Sequence, residues 1–324
     1  VIGLALGRLV GDDSPIQFPV WYEGVAYGLT VPAAVLGGWL RRRFWGERLV
    51  ATGLRAGVYP DLKQAVWLLV LFMLVTVGVS IAAGLAVAAA IRGRISLLQW
   101  VVPAIVAGAA VGYALVLAWA TRKSRAPVAE IFPFKMVPVA SIWPAVATIV
   151  GIAILFADLT ILIRRASSIP RVPIDPTNIF GGLERGFWPA VIIIVILAPI
   201  AEELLFRGVI LRGLLSHYTT RKAILVSSVL FGVSHVNPVL IAAATVLGML
   251  FAWWRVRTGS LLLPCLGHCL NNATALAISR LPWVTDPAFM SAEAGRVFQP
   301  LWFGLAGVVL LLLGIWQFRR VAVA

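Results

Sequence analysis

The chain has 324 residues, 61% of them hydrophobic and only 12% charged, against roughly 25% charged in an average soluble domain. No water-soluble fold of this length can hide that much apolar surface, so lipid is the solvent for most of it. The net charge of +14 is spread as short Arg and Lys clusters between apolar runs, such as Arg41-Arg42-Arg43 and Arg319-Arg320. That pattern sets membrane topology and does not build a basic groove, so no nucleic-acid partner is expected.

Val1 stands where Met is usual, which fits a fragment or a GUG start, and residues 1–20, with Asp12, Asp13 and Pro15, read as an interfacial stretch. A bilayer core of about 30 Å takes about 20 helical residues. Apolar runs of that kind fall near 24–40, 64–91, 95–120, 136–163, 187–215, 222–236, 238–254, 261–279 and 299–318. The sixth and seventh are short and separated only by Asn237-Pro238, as in half-helices or a tight hairpin at membrane depth. The expected fold is all-α: a polytopic membrane helix bundle of about 8–9 transmembrane helices, its polar residues gathered in the C-terminal half. With the N-terminus outside, inside loops hold 17 Lys and Arg and outside loops nine, so the C-terminus is expected in the cytoplasm of a multi-pass cell-membrane protein. Richness in Ala, Gly, Arg and Trp fits a GC-rich bacterium.

Character changes along the chain. Residues 1–170 form N-terminal transmembrane helices of unassigned role, with Asp158 the main polar intrusion. A Pro- and Gly-rich connector, 171–184, follows, and residues 185–282 place Glu, Arg, His and Asn at membrane depth. Residues 283–324 are a loop and a final helix. Cys265 and Cys269 are four apart on one helix face and badly placed to bridge, so they read as small apolar residues; the alternative is a Cys-x-x-His-Cys metal site around His268.

An ionisable side chain at bilayer depth costs at least ~2.5–3.5 kcal/mol, so each one asks for a function and a partner. Glu203 and Arg207 are four apart, acid first, the favourable order for an ion pair on one helix face. Glu202 lies about 100° round the helix and is left for chemistry. Phe231 and His235 are also four apart, so the ring can pack under the imidazole and fix its direction. His268 and Asn272 share a face in the same way, while Asn271 faces elsewhere. His217, at a helix end beside Ser216 and Tyr218, reads as interfacial. At about 1.5 Å per residue, Glu202, His235, His268 and Asn272 lie roughly 21, 20, 14 and 20 Å from the inner face, four polar groups in one layer.

A carboxylate, two imidazoles and a carboxamide suit amide hydrolysis. The carboxylate takes a proton from water as general base, an imidazole holds the water and later protonates the leaving amine, and the remaining donors stabilise the oxyanion. No Ser or Cys nucleophile stands in a recognisable frame. Glu-Glu-x-x-x-Arg (Glu202, Glu203, Arg207), Phe-x-x-x-His (Phe231, His235) and His-x-x-x-Asn (His268, Asn272) together resemble the three motifs of the CPBP family of intramembrane endopeptidases, over about residues 185–282. That family includes the endopeptidase that trims prenylated CaaX proteins and bacterial proteins linked to bacteriocin processing or self-immunity.

The resemblance implies Glu202 with His235 as the water-activating side and His268 with Asn272 as the oxyanion side. The implied partners are the lipid bilayer and a membrane-associated protein or peptide substrate. No cofactor is favoured. In a metalloprotease, Glu202, His235 and His268 would instead be a zinc site. Two other classes compete: a transporter or proton-coupled channel using Glu202 and the histidines as a relay, and a non-catalytic immunity or scaffold protein. The first calls for an inverted repeat, which the sequence lacks; the second leaves the intact polar set without a purpose.

Overall fold

The computed structural model describes residues 58–91, 97–166, 191–235, 238–278 and 300–321. The expected first span at 24–40, the connector 171–184 and the loop 283–299 lie outside the described residues. Those that are described form helices and turns without a strand, as expected from the composition.

Helix α1, Leu62–Ile91, opens with a capping box. The Gln64 amide N–H donates to Asp61 Oδ1 at 2.8 Å, and the Asp61 N–H donates to Gln64 Oε1 at 3.0 Å. Helix α2, Leu97–Ser124, lies along α1 at close range. Small residues permit this: a Cβ on Gly112 would stand 2.7 Å from Thr76 Cα, and one on Gly108 2.8 Å from Ser80 Cα. Two small-x-x-x-small pairs thus face each other, the usual device where lipid supplies no hydrophobic drive between helices. After a single turn, α3 (Val128–Ile131), comes α4, Ile142–Ala166.

The segment carrying both glutamates is a composite helix, here α5. It runs through a π stretch Ile193–Leu197, an α stretch Ala198–Glu203, a second π stretch Leu204–Ile210 and an α stretch Leu211–His217. Pro199 accounts for the first widening, because it has no N–H to offer the preceding turn. Then follow α6 (Thr220–Val233), α7 (Pro238–Thr258), α8 (Leu262–Ile278) and α9 (Leu301–Val321). The last packs on α4, with Gly151 and Gly307 in the contact.

Among the described residues, five helices are long and apolar enough to cross a membrane: α1, α2, α4 with its leading turn, α7 and α9. Their outward residues are apolar and bare, for example Leu74 at 68% and Trp302 at 64% exposed. Side chains like these are stable outward only in lipid, and the chain is a multi-pass membrane protein. Of the two segments expected to be short, only α6 is. Its 14 residues reach about 21 Å, less than the bilayer core, whereas the 21 residues of α7 reach about 31 Å because the helix continues through Arg255 and Arg257.

The helix ends that carry the basic clusters meet on one side. Ser216 and His217 bond the Val58 carbonyl, and the Lys123 ammonium lies over Tyr59. Arg212 pairs with Glu130 at 3.3 Å, Ser260 bonds both backbone groups of Lys135, and Arg257 donates to the Arg319 carbonyl. The loops grouped by charge in the sequence are therefore neighbours in space.

Candidate active site

Four further helices, α2, α6, α7 and α8, meet α5 around the acidic pair and Arg207. Glu203 is fully buried and Arg207 is 1% exposed. Arg207 Nη1 donates to Glu203 Oε1 at 2.9 Å, as the spacing predicts, and Nη2 reaches the Gly248 carbonyl on α7 at 3.1 Å. The guanidinium stacks over Phe231 at 4.4 Å and lies 5.5 Å from the Phe251 centroid, so aromatic faces replace some of the water it has lost.

Glu203 also does something the sequence does not reveal. Its Oε1 accepts from His268 Nδ1 at 2.9 Å. A carboxylate at a guanidinium is an acceptor only, so the Nδ1 proton is fixed and Nε2 is turned the other way. Nε2 faces Glu202, 3.8 Å from its Oε2. Phe251, stacked at 5.3 Å, and Phe231, edge-on at 5.6 Å, hold the imidazole plane. Expecting Glu203 only to brace Arg207 is thus incomplete: it orients His268 as well.

Glu202 keeps 15% of its side chain exposed and accepts a hydrogen bond on Oε1 from the Tyr113 hydroxyl at 2.9 Å. Tyr113 lies on α2, 89 positions earlier, and no spacing rule connects the two. The only signal in the sequence is a phenol in an apolar helix, which wants a polar partner.

His235 does not lie within a helix, as its hydrophobic surroundings suggest. Helix α6 stops at Val233, and His235 occupies the turn that follows, its N–H bonded to the Gly232 carbonyl at 3.0 Å. The expected contact with Phe231 is present, edge-on at 4.9 Å. His235 Nδ1 is 2.9 Å from the Phe231 carbonyl, an acceptor, so Nδ1 holds the proton and Nε2 is the open nitrogen. Phe231 therefore touches both imidazoles.

Asn272 has a partner that follows from Pro199. In the π stretch the Ala198 N–H bonds the Ile193 carbonyl, so the next rung would run from residue 199 to Ile194. Proline cannot make it. Asn272 Nδ2 donates to that Ile194 carbonyl at 3.0 Å, repairing a gap that is costly in lipid. Asn271 does not face elsewhere: its Nδ2 donates to Asn272 Oδ1 at 3.1 Å, so the two amides form a relay. Replacing Asn272 by Ala should thus cost about 1–3 kcal/mol of stability, besides any effect on turnover. Asn271→Ala should perturb the same helix contact rather than be silent. Thermal unfolding of both variants in detergent checks this.

Among the described residues, no three His, Cys, Asp or Glu side chains form a group that could hold a metal ion. Neither Glu202, His235 and His268 nor Cys265, Cys269 and His268 is such a group among the described residues.

Residues 184–274 match the family described as type II CAAX prenyl endopeptidase Rce1-like. The three motifs lie inside that range, and their resemblance to the CPBP family holds there. The chain is 39% identical over 90 residues to a protein of Escherichia coli described as an uncharacterized 24.3 kDa protein. That alignment takes in 26% of this chain, and the chain spans 41% of the length of that curated relative. No solved structure matches the chain.

Proposed function

We propose, from the match of residues 184–274 to the Rce1-like family, that the chain is an intramembrane endopeptidase hydrolysing a peptide bond in a membrane-associated substrate. One observation carries the mechanism: Glu202 Oε2 and His268 Nε2 face each other at 3.8 Å while each side chain is held from behind, by Tyr113 and by Glu203. This is a gap between two pre-oriented groups, which is where a reacting water and carbonyl belong.

Glu202 removes a proton from water as its oxygen attacks the scissile carbonyl. His235, with Nδ1 committed to the Phe231 carbonyl, offers Nε2 as acceptor to the same water. The tetrahedral oxyanion forms on the His268 side. His268 donates to it from Nε2 only when both ring nitrogens carry protons, with Glu203 and Glu202 as counter-charges. Together with Arg207 the cluster is then neutral, which suits its depth in the membrane. The second N–H of the Asn272 amide is the further donor. The proton taken by Glu202 passes to the leaving amine as the C–N bond breaks.

No step in this scheme runs through a metal. The test is cleavage of a peptide library by purified protein in detergent, with and without exhaustive chelation. Cleavage that survives chelation is the expected result. Loss of cleavage on metal removal, with recovery on adding zinc back, would overturn the metal-free scheme.

We also place the side carrying the basic helix ends in the cytoplasm of a bacterial cell, with the C-terminus there, because that side holds most of the Lys and Arg. A reporter fused after Arg320 should be active only in the cytoplasm.

A further inference from the structure

We infer that Tyr113 is a positioning residue for Glu202, so that the N-terminal helices supply part of the catalytic apparatus; this rests on the proposed endopeptidase mechanism. Tyr113 lies outside residues 184–274 and on a helix with no assigned role. Its hydroxyl donates to Glu202 Oε1 at 2.9 Å. That bond occupies one carboxylate oxygen and fixes the plane of the group, leaving Oε2 as the atom turned toward His268 Nε2. A carboxylate has two equivalent oxygens and free rotation about its last bond. Without a tether, either oxygen can face the water, and the proton-accepting lone pair is aimed only part of the time.

The ring is itself well seated. Phe72 on α1 packs edge-on against Tyr113 at 4.5 Å and against Phe206 on α5 at 6.3 Å. Those contacts link α1, α2 and the helix bearing Glu202 in one aromatic stack. Tyr113 is eleven residues from Ser124, the inner end of α2, or about 16 Å along the helix, within the layer of roughly 14–21 Å reckoned for the site residues. The close α1–α2 packing through Gly108 and Gly112 holds α2, and with it the phenol, in place.

Tyr113→Phe keeps the ring and its packing and removes only the hydroxyl. It should lower kcat by about 10- to 100-fold, the scale of losing one hydrogen bond to a charged group, with KM within about twofold and a modest drop in unfolding temperature that leaves the protein folded at the assay temperature. 4-Aminophenylalanine at position 113, which returns an N–H donor to the same place, should restore most of the loss. In a Glu202→Asp background the shorter carboxylate is already out of reach, so Tyr113→Phe should cost clearly less there than in the native enzyme.

The inference is overturned if Tyr113→Phe leaves kcat unchanged, or if its effect falls on KM or on the unfolding temperature alone. An equal loss in the Glu202→Asp background, or no recovery with the amino analogue, also overturns it. Should Tyr113→Phe fail to fold, 4-fluorophenylalanine at position 113, which fills the place of the hydroxyl without a hydrogen to donate, decides: a large kcat loss supports the inference and wild-type turnover sinks it. Failure of the endopeptidase reading looks different, since then the native protein cleaves nothing, or Glu202→Gln cleaves as well as the native protein.

Discussion

Glu202→Gln should reduce cleavage to background while the protein folds and extracts as the native chain does. A positioned general base contributes about 10²- to 10⁴-fold, and the amide cannot accept the proton from water at all. The fold should survive because the change is nearly isosteric. The Gln carbonyl oxygen can still accept the Tyr113 hydroxyl, and the side chain, 15% exposed, carries no ion pair with Arg207. Turnover and thermal unfolding, measured on one preparation, separate the two effects. Substantial residual activity would mean that the division of work between the two adjacent acids is wrong, and Glu203 would become the candidate base.

The pairing of Glu203 with Arg207 was legible in the sequence because it needs only helix arithmetic: an acid and a base four apart share a face. The same arithmetic put Phe231 beside His235 and His268 on the face of Asn272. It failed where the backbone departs from the regular helix. His235 falls past the end of α6, and a four-residue spacing survives a turn as easily as a helix. The two π stretches flanking Ala198–Glu203 change the register of that helix, and only Pro199 hints at them. Asn272 then acquires a backbone partner on another helix, which a pattern along one strand of sequence cannot show. Tyr113 was missed for the same reason, as its link to Glu202 is tertiary. The helical membrane class needed less: composition and run length fix it, and the length of α7 differed because basic residues at a helix end do not stop the helix.

The ion pair carries the second large effect. Arg207→Ala and Glu203→Gln should each cost about 3–5 kcal/mol of stability, since each leaves a fully buried charge without its counter-charge. Arg207→Ala also gives up the stacking on Phe231 and the bond to the Gly248 carbonyl, and Glu203 Oε2 already has no hydrogen-bond partner among the described residues. The two substitutions should differ in activity. Arg207→Ala leaves Glu203 on His268 Nδ1, so protein that does fold should retain turnover. Glu203→Gln offers His268 a neutral acceptor, and the doubly protonated imidazole loses its counter-charge, so turnover should fall as well. The combination Glu203→Gln with Arg207→Met removes both charges and keeps the volume, and replacement of a buried pair in this way is often close to neutral in stability. Its unfolding temperature should therefore return toward the native value while cleavage stays low. Recovery of cleavage along with stability would reduce Glu203 to a brace and leave the direction of His268 to Phe251 and Phe231 alone.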